Sequence, residues 1–166
     1  MDDPFSCFLL STSNNVFLGL DIWISFLVLI LLLISSALIS GSEVAFFSLS
    51  PTERLELREN KEKAAYLATE LLNAPKSLLA TILIANNFIN VAIVILSSYI
   101  FLNLYPPPET GIDYLRSFIE IAGITFIILL IGEIIPKIYA NRKAMLIVLV
   151  MAKPISWINK TPPFSW

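Results

Sequence analysis

Apolar residues in this chain run in long unbroken blocks instead of alternating with polar ones. No charged side chain occurs between Asp21 and Glu43, a gap of 21 residues filled mainly with Ile, Leu, Val, Trp and Phe. None occurs between Lys76 and Glu109, a gap of 32. A bilayer core of ~30 Å needs ~20 helical residues at ~1.5 Å each. Both blocks therefore predict membrane-spanning helices, over residues 21–47 and 77–104. A third block, 117–140, has a strictly uncharged stretch of 12 residues, Ile121 to Gly132, and then a basic flank at Arg142 and Lys143. It predicts a third span. The fold class that follows is an all-α membrane protein, with three transmembrane helices, a cytoplasmic interfacial helical segment and a C-terminal juxtamembrane helix.

The segments between the blocks carry their own signals. Ser50-Pro51-Thr52-Glu53 reads as an N-cap, a proline at the first helical position and a glutamate at the third. That predicts a surface helix over 51–73, bent near Asn60 and ended by Pro75. Pro106-Pro107-Pro108 stops the second span near Tyr105, because three prolines cannot continue a helix. Ala144–Val150 is too short for a fourth span and predicts an interfacial helix anchored by Trp157. Residues 144–166 are read as this juxtamembrane helix and the start of a Pro-rich linker. Residues 1–20 are read as an extracytoplasmic lead-in punctuated by Asn14-Asn15. Its start, Met1-Asp2-Asp3-Pro4, is acidic where a signal peptide is basic.

Composition narrows the chemistry. The chain is 57% hydrophobic and 14% charged, with a net charge of −2; a soluble domain carries about a quarter charged residues. A nucleic-acid binder would have a basic excess. A single Cys leaves no intramolecular disulfide and no Cys-rich zinc site, and the absence of His removes imidazole catalysis and imidazole metal ligands. With no nucleophile–base pair and no Gly-rich phosphate loop, an enzyme is not predicted. Ten of the eleven Lys and Arg residues, all but Arg116, fall on one side of the predicted spans. That side is predicted to be cytoplasmic, with the N-terminus outside and the C-terminus inside.

Polar groups at membrane depth are costly and ask for a reason. Ser36 and Ser40 are four residues apart in the first span and share a helical face. Asn86 and Asn90 do the same in the second. The third span carries Gly132-Glu133-Ile134-Ile135-Pro136-Lys137. In an α-helix, residue 136 would donate to the carbonyl of Gly132; Pro136 has no N–H, which predicts a freed carbonyl beside the Glu133 carboxylate. Hydroxyl, amide, carbonyl and carboxylate oxygens suit hard cations such as Mg2+ or Na+. The plainer alternatives are interhelical hydrogen bonding for the Ser and Asn residues, a simple kink at Pro136, and a local ion pair between Glu133 and Lys137. Glu43 either bonds nearby backbone at the boundary or lines an ion exit.

Three segments together carry a family resemblance. Ser40-Gly41-Ser42-Glu43-Val44-Ala45-Phe46-Phe47-Ser48, Asn86-Asn87-Phe88-Ile89-Asn90 and Gly132-Glu133-Ile134-Ile135-Pro136-Lys137 resemble, in order, the three span motifs of the CorC/CNNM (cyclin M-like) magnesium transporter family. The chain also looks somewhat like that family's gliding-motility-associated bacterial branch. The resemblance implies a three-span DUF21 transmembrane domain in the bacterial inner membrane, assembled as a homodimer. It implies Mg2+ export coupled to Na+ entry, with the ion held by Ser36, Ser40, Asn86, Asn90, Gly132 and Glu133. The CBS domains that usually follow in the family, with their nucleotide sites, are not in this sequence. A non-transporting membrane scaffold and a Mg2+ sensor using the same ion site are the alternatives.

Overall fold

The computed structural model describes the backbone of residues 4–106 and 114–160, and the side chains of 21–106, 114, 115, 118, 119 and 121–160. Pro107, Pro108, Glu109, Asp113, Thr161–Pro163 and the side chains of Cys7 and Arg116 lie outside the described residues.

The described residues form helices and short connections. Helix α1 (Pro4–Ser48) is followed by α2 (Pro51–Glu59), α3 (Lys63–Asn73) and α4 (Pro75–Leu104). Then come α5 (Tyr114–Ile127), a π-helical stretch (Ile128–Ile134), α6 (Ile135–Arg142) and α7 (Ala144–Lys160). Three stretches are long and apolar enough to cross a bilayer: Asp21–Ser48, Pro75–Leu104 and Ile121–Arg142. Helix α1 runs back through Asn14-Asn15 to Pro4 without a break. Two asparagines lower helix propensity by only a few tenths of a kcal/mol each, too little to punctuate it.

Large apolar residues cover the surface, while small hydroxyl residues of the first span are buried inside. Trp23, Phe88 and Ile121 are exposed, whereas Ser36, Ser40 and Ser42 are fully buried. Water would not tolerate this distribution over such an area. In lipid it is expected, since small residues let helix backbones approach and large apolar ones face the acyl chains. Gly41 shows the close approach: a Cβ there would lie 3.4 Å from the Pro136 carbonyl oxygen and 3.6 Å from Ala140 Cβ.

Helix α1 is the hub, packing on α4, on the π stretch with α6, and on α7. A conventional apolar core gathers at the end of the bundle where the basic residues cluster. Phe46, Leu57, Leu78, Ile82, Val148 and Ile155 are its largest fully buried members. Helix α7 joins it along one face despite carrying Pro154 inside the helix. Its end is tied to the start of α4 by Asn159, whose Oδ1 accepts from Ser77 Oγ and Thr81 Oγ1, each at 2.8 Å.

The surface helix forms as two pieces, broken at Asn60–Glu62. Asn60 Oδ1 accepts from the Glu62 N–H at 2.9 Å, a local turn that competes with helix continuation. The predicted cap of α2 is complete. Ser50 Oγ accepts from Glu53 N, and a Glu53 carboxylate oxygen accepts from Ser50 N at 2.8 Å and Ser50 Oγ at 2.7 Å. The Ser50 hydroxyl and then its backbone N–H hold the Glu53 carboxyl below its ordinary value of 4.5. A depressed carboxyl adds stability above its unfolded pKa and loses it as pH falls through the lower folded value. Acidifying below about 4.5 is therefore expected to lower the protection of α2 amides relative to their intrinsic exchange rates, and Ser50→Ala to produce the same loosening at neutral pH.

Candidate metal centre

Hydrogen-bond partners sort the hydroxyls of α1. Ser35 Oγ donates to Leu31 O at 2.8 Å and Ser42 Oγ to Leu38 O at 2.6 Å, so both are satisfied within their own helix. Ser36 instead reaches across the bundle: its Oγ donates to Asn90 Oδ1 at 2.9 Å. Asn90 Nδ2 in turn donates to Glu133 Oε1 at 3.1 Å. A hydroxyl, an amide and a carboxylate, one from each span, thus form a continuous chain across the bundle.

Glycine makes this geometry possible. A Cβ at position 132 would lie 3.0 Å from Ser36 Oγ, tighter than side chains ordinarily tolerate. Gly132→Ala is therefore expected to push the first and third spans apart and lower thermal stability by ~1–3 kcal/mol. The clash is with the hydroxyl, since Ser36 Cβ would be 3.7 Å away. Combining Gly132→Ala with Ser36→Ala should recover the steric part of the loss, read as a rise in melting temperature over the single variant.

One turn toward the basic end, two buried oxygens have no hydrogen-bond partner among the described residues: Ser40 Oγ and Asn86 Oδ1. Each stands four residues from a member of the bonded chain, Ser40 from Ser36 and Asn86 from Asn90. Helices α1 and α4 run in opposite directions, so a step forward along one matches a step back along the other. Both unpartnered oxygens thus fall ~6 Å below the bonded pair at ~1.5 Å per residue. A buried polar atom without a partner costs about 1–3 kcal/mol. Two at one level mark a place where oxygen lone pairs await a donor or a cation. The described residues contain no cluster of three or more His, Cys, Asp or Glu side chains, so a metal here must rely on neutral oxygens with one carboxylate.

The third span departs from the α-helical geometry used above. In the π stretch the Ile135 N–H bonds to Leu130 O, five residues back. In that wide register position 136 would donate to Ile131, so Pro136 withholds a donor from this turn, whose carbonyls include those of Ile131 and Gly132. Gly132 contributes its lack of a side chain, which admits Ser36.

The local ion pair considered for Glu133 is not made among the described residues: Glu133 Oε1 instead accepts from Asn90 Nδ2. Lys137 Nζ pairs with Glu43 Oε2 at 3.1 Å, joining α6 to α1. Sequence reasoning missed this pair. Its signal was available: Glu43 and Lys137 are opposite charges just past Gly41 and Pro136, at matching depth in two parallel spans.

Beside Glu133 lies a cavity of about 440 Å³. It is walled mostly by aliphatic residues of α4, α5 and the π stretch, with Asn87, Asn90, Thr125 and Glu133 as its polar members. It extends from Glu133 toward Val94, Ile95 and Thr125, away from the basic end.

The family model described as the cyclin M transmembrane N-terminal domain matches residues 27–166. A UPF0053 protein of Haemophilus influenzae is 36% identical over 119 residues, covering 72% of this chain and 27% of that protein. The UPF0053 inner membrane protein YfjD of Escherichia coli is 28% identical over 105 residues, covering 63% of this chain and 23% of that protein. The chain thus spans about a quarter of the length of these relatives. It belongs to the cyclin M transmembrane family, and the match includes all six candidate site residues.

Proposed function

We propose that this member of the cyclin M transmembrane family carries Mg2+ across a bacterial inner membrane, outward from the cytoplasm, with Na+ moving inward. The observation that carries this reading is the pair of buried unpartnered oxygens, Ser40 Oγ and Asn86 Oδ1. They adjoin the Ser36–Asn90–Glu133 chain. Hydroxyl, carboxamide and carboxylate oxygens on two adjacent helical turns, without sulfur or imidazole, match what Mg2+ accepts. One carboxylate leaves part of the ion's charge uncompensated, which suits a cargo that must also leave.

In this reading the basic end faces the cytoplasm, following the distribution of Lys and Arg, with the N-terminus outside and the C-terminus inside. Mg2+ exchanges part of its hydration shell for Ser36, Ser40, Asn86, Asn90, the Gly132 carbonyl and Glu133. The π stretch ahead of Pro136 supplies the joint about which the third span rocks. A wide, poorly bonded turn is a natural place for one. Two copies of this thin three-helix bundle would enclose the path. The test is Mg2+ movement through the purified protein in proteoliposomes under opposed Mg2+ and Na+ gradients. Flux that needs both gradients and is lost in Glu133→Gln supports the proposal. Mg2+ binding without flux would assign the site to sensing or to holding the bundle together.

A further inference from the structure

We infer that Glu43 is a positioning residue that holds the Lys137 ammonium away from Glu133 and so keeps the Glu133 carboxylate available to a mobile cation. The inference rests on the cation site proposed above and concerns how that site is kept from neutralising itself. Lys137 follows Glu133 by four residues, so its long side chain is tethered within reach of that carboxylate. Glutamate ahead of lysine at this spacing is the favoured order for a helical ion pair. A tethered ammonium has an effective concentration in the millimolar range, enough to compete with an ion of moderate affinity.

Two features hold it off. Glu133 is turned to Asn90 on the second span, which donates to it at 3.1 Å. Glu43, on the neighbouring span, takes the ammonium at 3.1 Å. Both partners of that pair are half-buried, where opposite charges attract more strongly than in water. Close packing of Gly41 on Pro136, 3.4 Å from a would-be Cβ to the carbonyl oxygen, fixes the two backbones so that the carboxylate meets the ammonium. With Glu43 removed, Lys137 would have Glu133 as its nearest carboxylate along the helix.

The test compares wild type, Glu43→Gln, Lys137→Gln and the double variant, reading the rise in melting temperature with Mg2+ concentration and the Mg2+ affinity it gives. The affinity should fall about tenfold in Glu43→Gln, a modest part of what opposite charges at contact produce inside a protein. It should return to the wild-type level in the double variant and stay there in Lys137→Gln. A merely structural brace would make Lys137→Gln behave like Glu43→Gln and leave the double variant unrescued. That pattern, or an unchanged affinity in Glu43→Gln beside a responding wild type, overturns the inference while the ion site stands. A wild type that does not respond to Mg2+ counts against the ion site itself.

Discussion

Glu133→Gln is expected to abolish Mg2+ binding and flux while leaving the bundle folded. Glutamine has the same shape, and its Oε1 can still accept from Asn90 Nδ2, now at 3.1 Å from the carboxylate, so the contact joining the second and third spans survives. What disappears is the negative charge. The remaining candidate donors, Ser36, Ser40, Asn86 and Asn90, are neutral, and Lys137 nearby is engaged by Glu43. A divalent ion brought to membrane depth would then have dipoles alone to replace its water. An affinity loss of about two orders of magnitude or more is expected from one lost charge at contact in a low-dielectric setting. Mg2+ titration gives the affinity, and melting without Mg2+, within a degree or two of wild type, confirms that folding is not the cause.

Asn90→Ala should show the opposite division, with a large effect on stability before any ion is added. Asn90 is the link that both accepts from Ser36 and donates to Glu133. Truncation leaves the Ser36 hydroxyl, fully buried, without an acceptor, and the carboxylate without its amide donor. Stranding a buried polar group costs about 1–3 kcal/mol, although helices in lipid recover part of this through other partners. A melting temperature several degrees lower is expected. Ser36→Ala should cost less, because Asn90 can still hold Glu133. Asn103→Ala is the matched control: Asn103 Nδ2 donates to Tyr99 O in its own helix at 2.7 Å and joins nothing across the bundle. An Asn90→Ala protein as stable as Asn103→Ala would show that the bridge contributes nothing.

Charge spacing made the three spans legible, because bilayer thickness sets a length that few other constraints imitate. The cap of α2 was legible because Ser50-Pro51-Thr52-Glu53 specifies its own bonds locally. The polar residues that meet were also readable, since spacings of four place Ser36 with Ser40 and Asn86 with Asn90 on single faces. Three things were not. Asn14-Asn15 looked like a break, but propensity alone does not stop a long helix. The consequence of Pro136 was assigned in the α register, whereas Ile128–Ile134 adopts the π register. The partner of Lys137 was sought within its own helix, while Glu43 reaches it from another. Contacts between helices depend on relative rotation and depth, which no single segment encodes. The unpartnered state of Ser40 Oγ and Asn86 Oδ1 belongs to the same class: it emerges when the helices are assembled.

Thermal unfolding of the purified protein against Mg2+ concentration, wild type beside Glu133→Gln, bears most directly on these oxygens as a cation site. A ligand that binds the native state raises stability by RT ln(1 + [L]/Kd). The wild-type melting temperature should therefore climb with Mg2+, and that of Glu133→Gln should stay flat. A flat wild-type curve, or an equal climb in both proteins, would contradict the account.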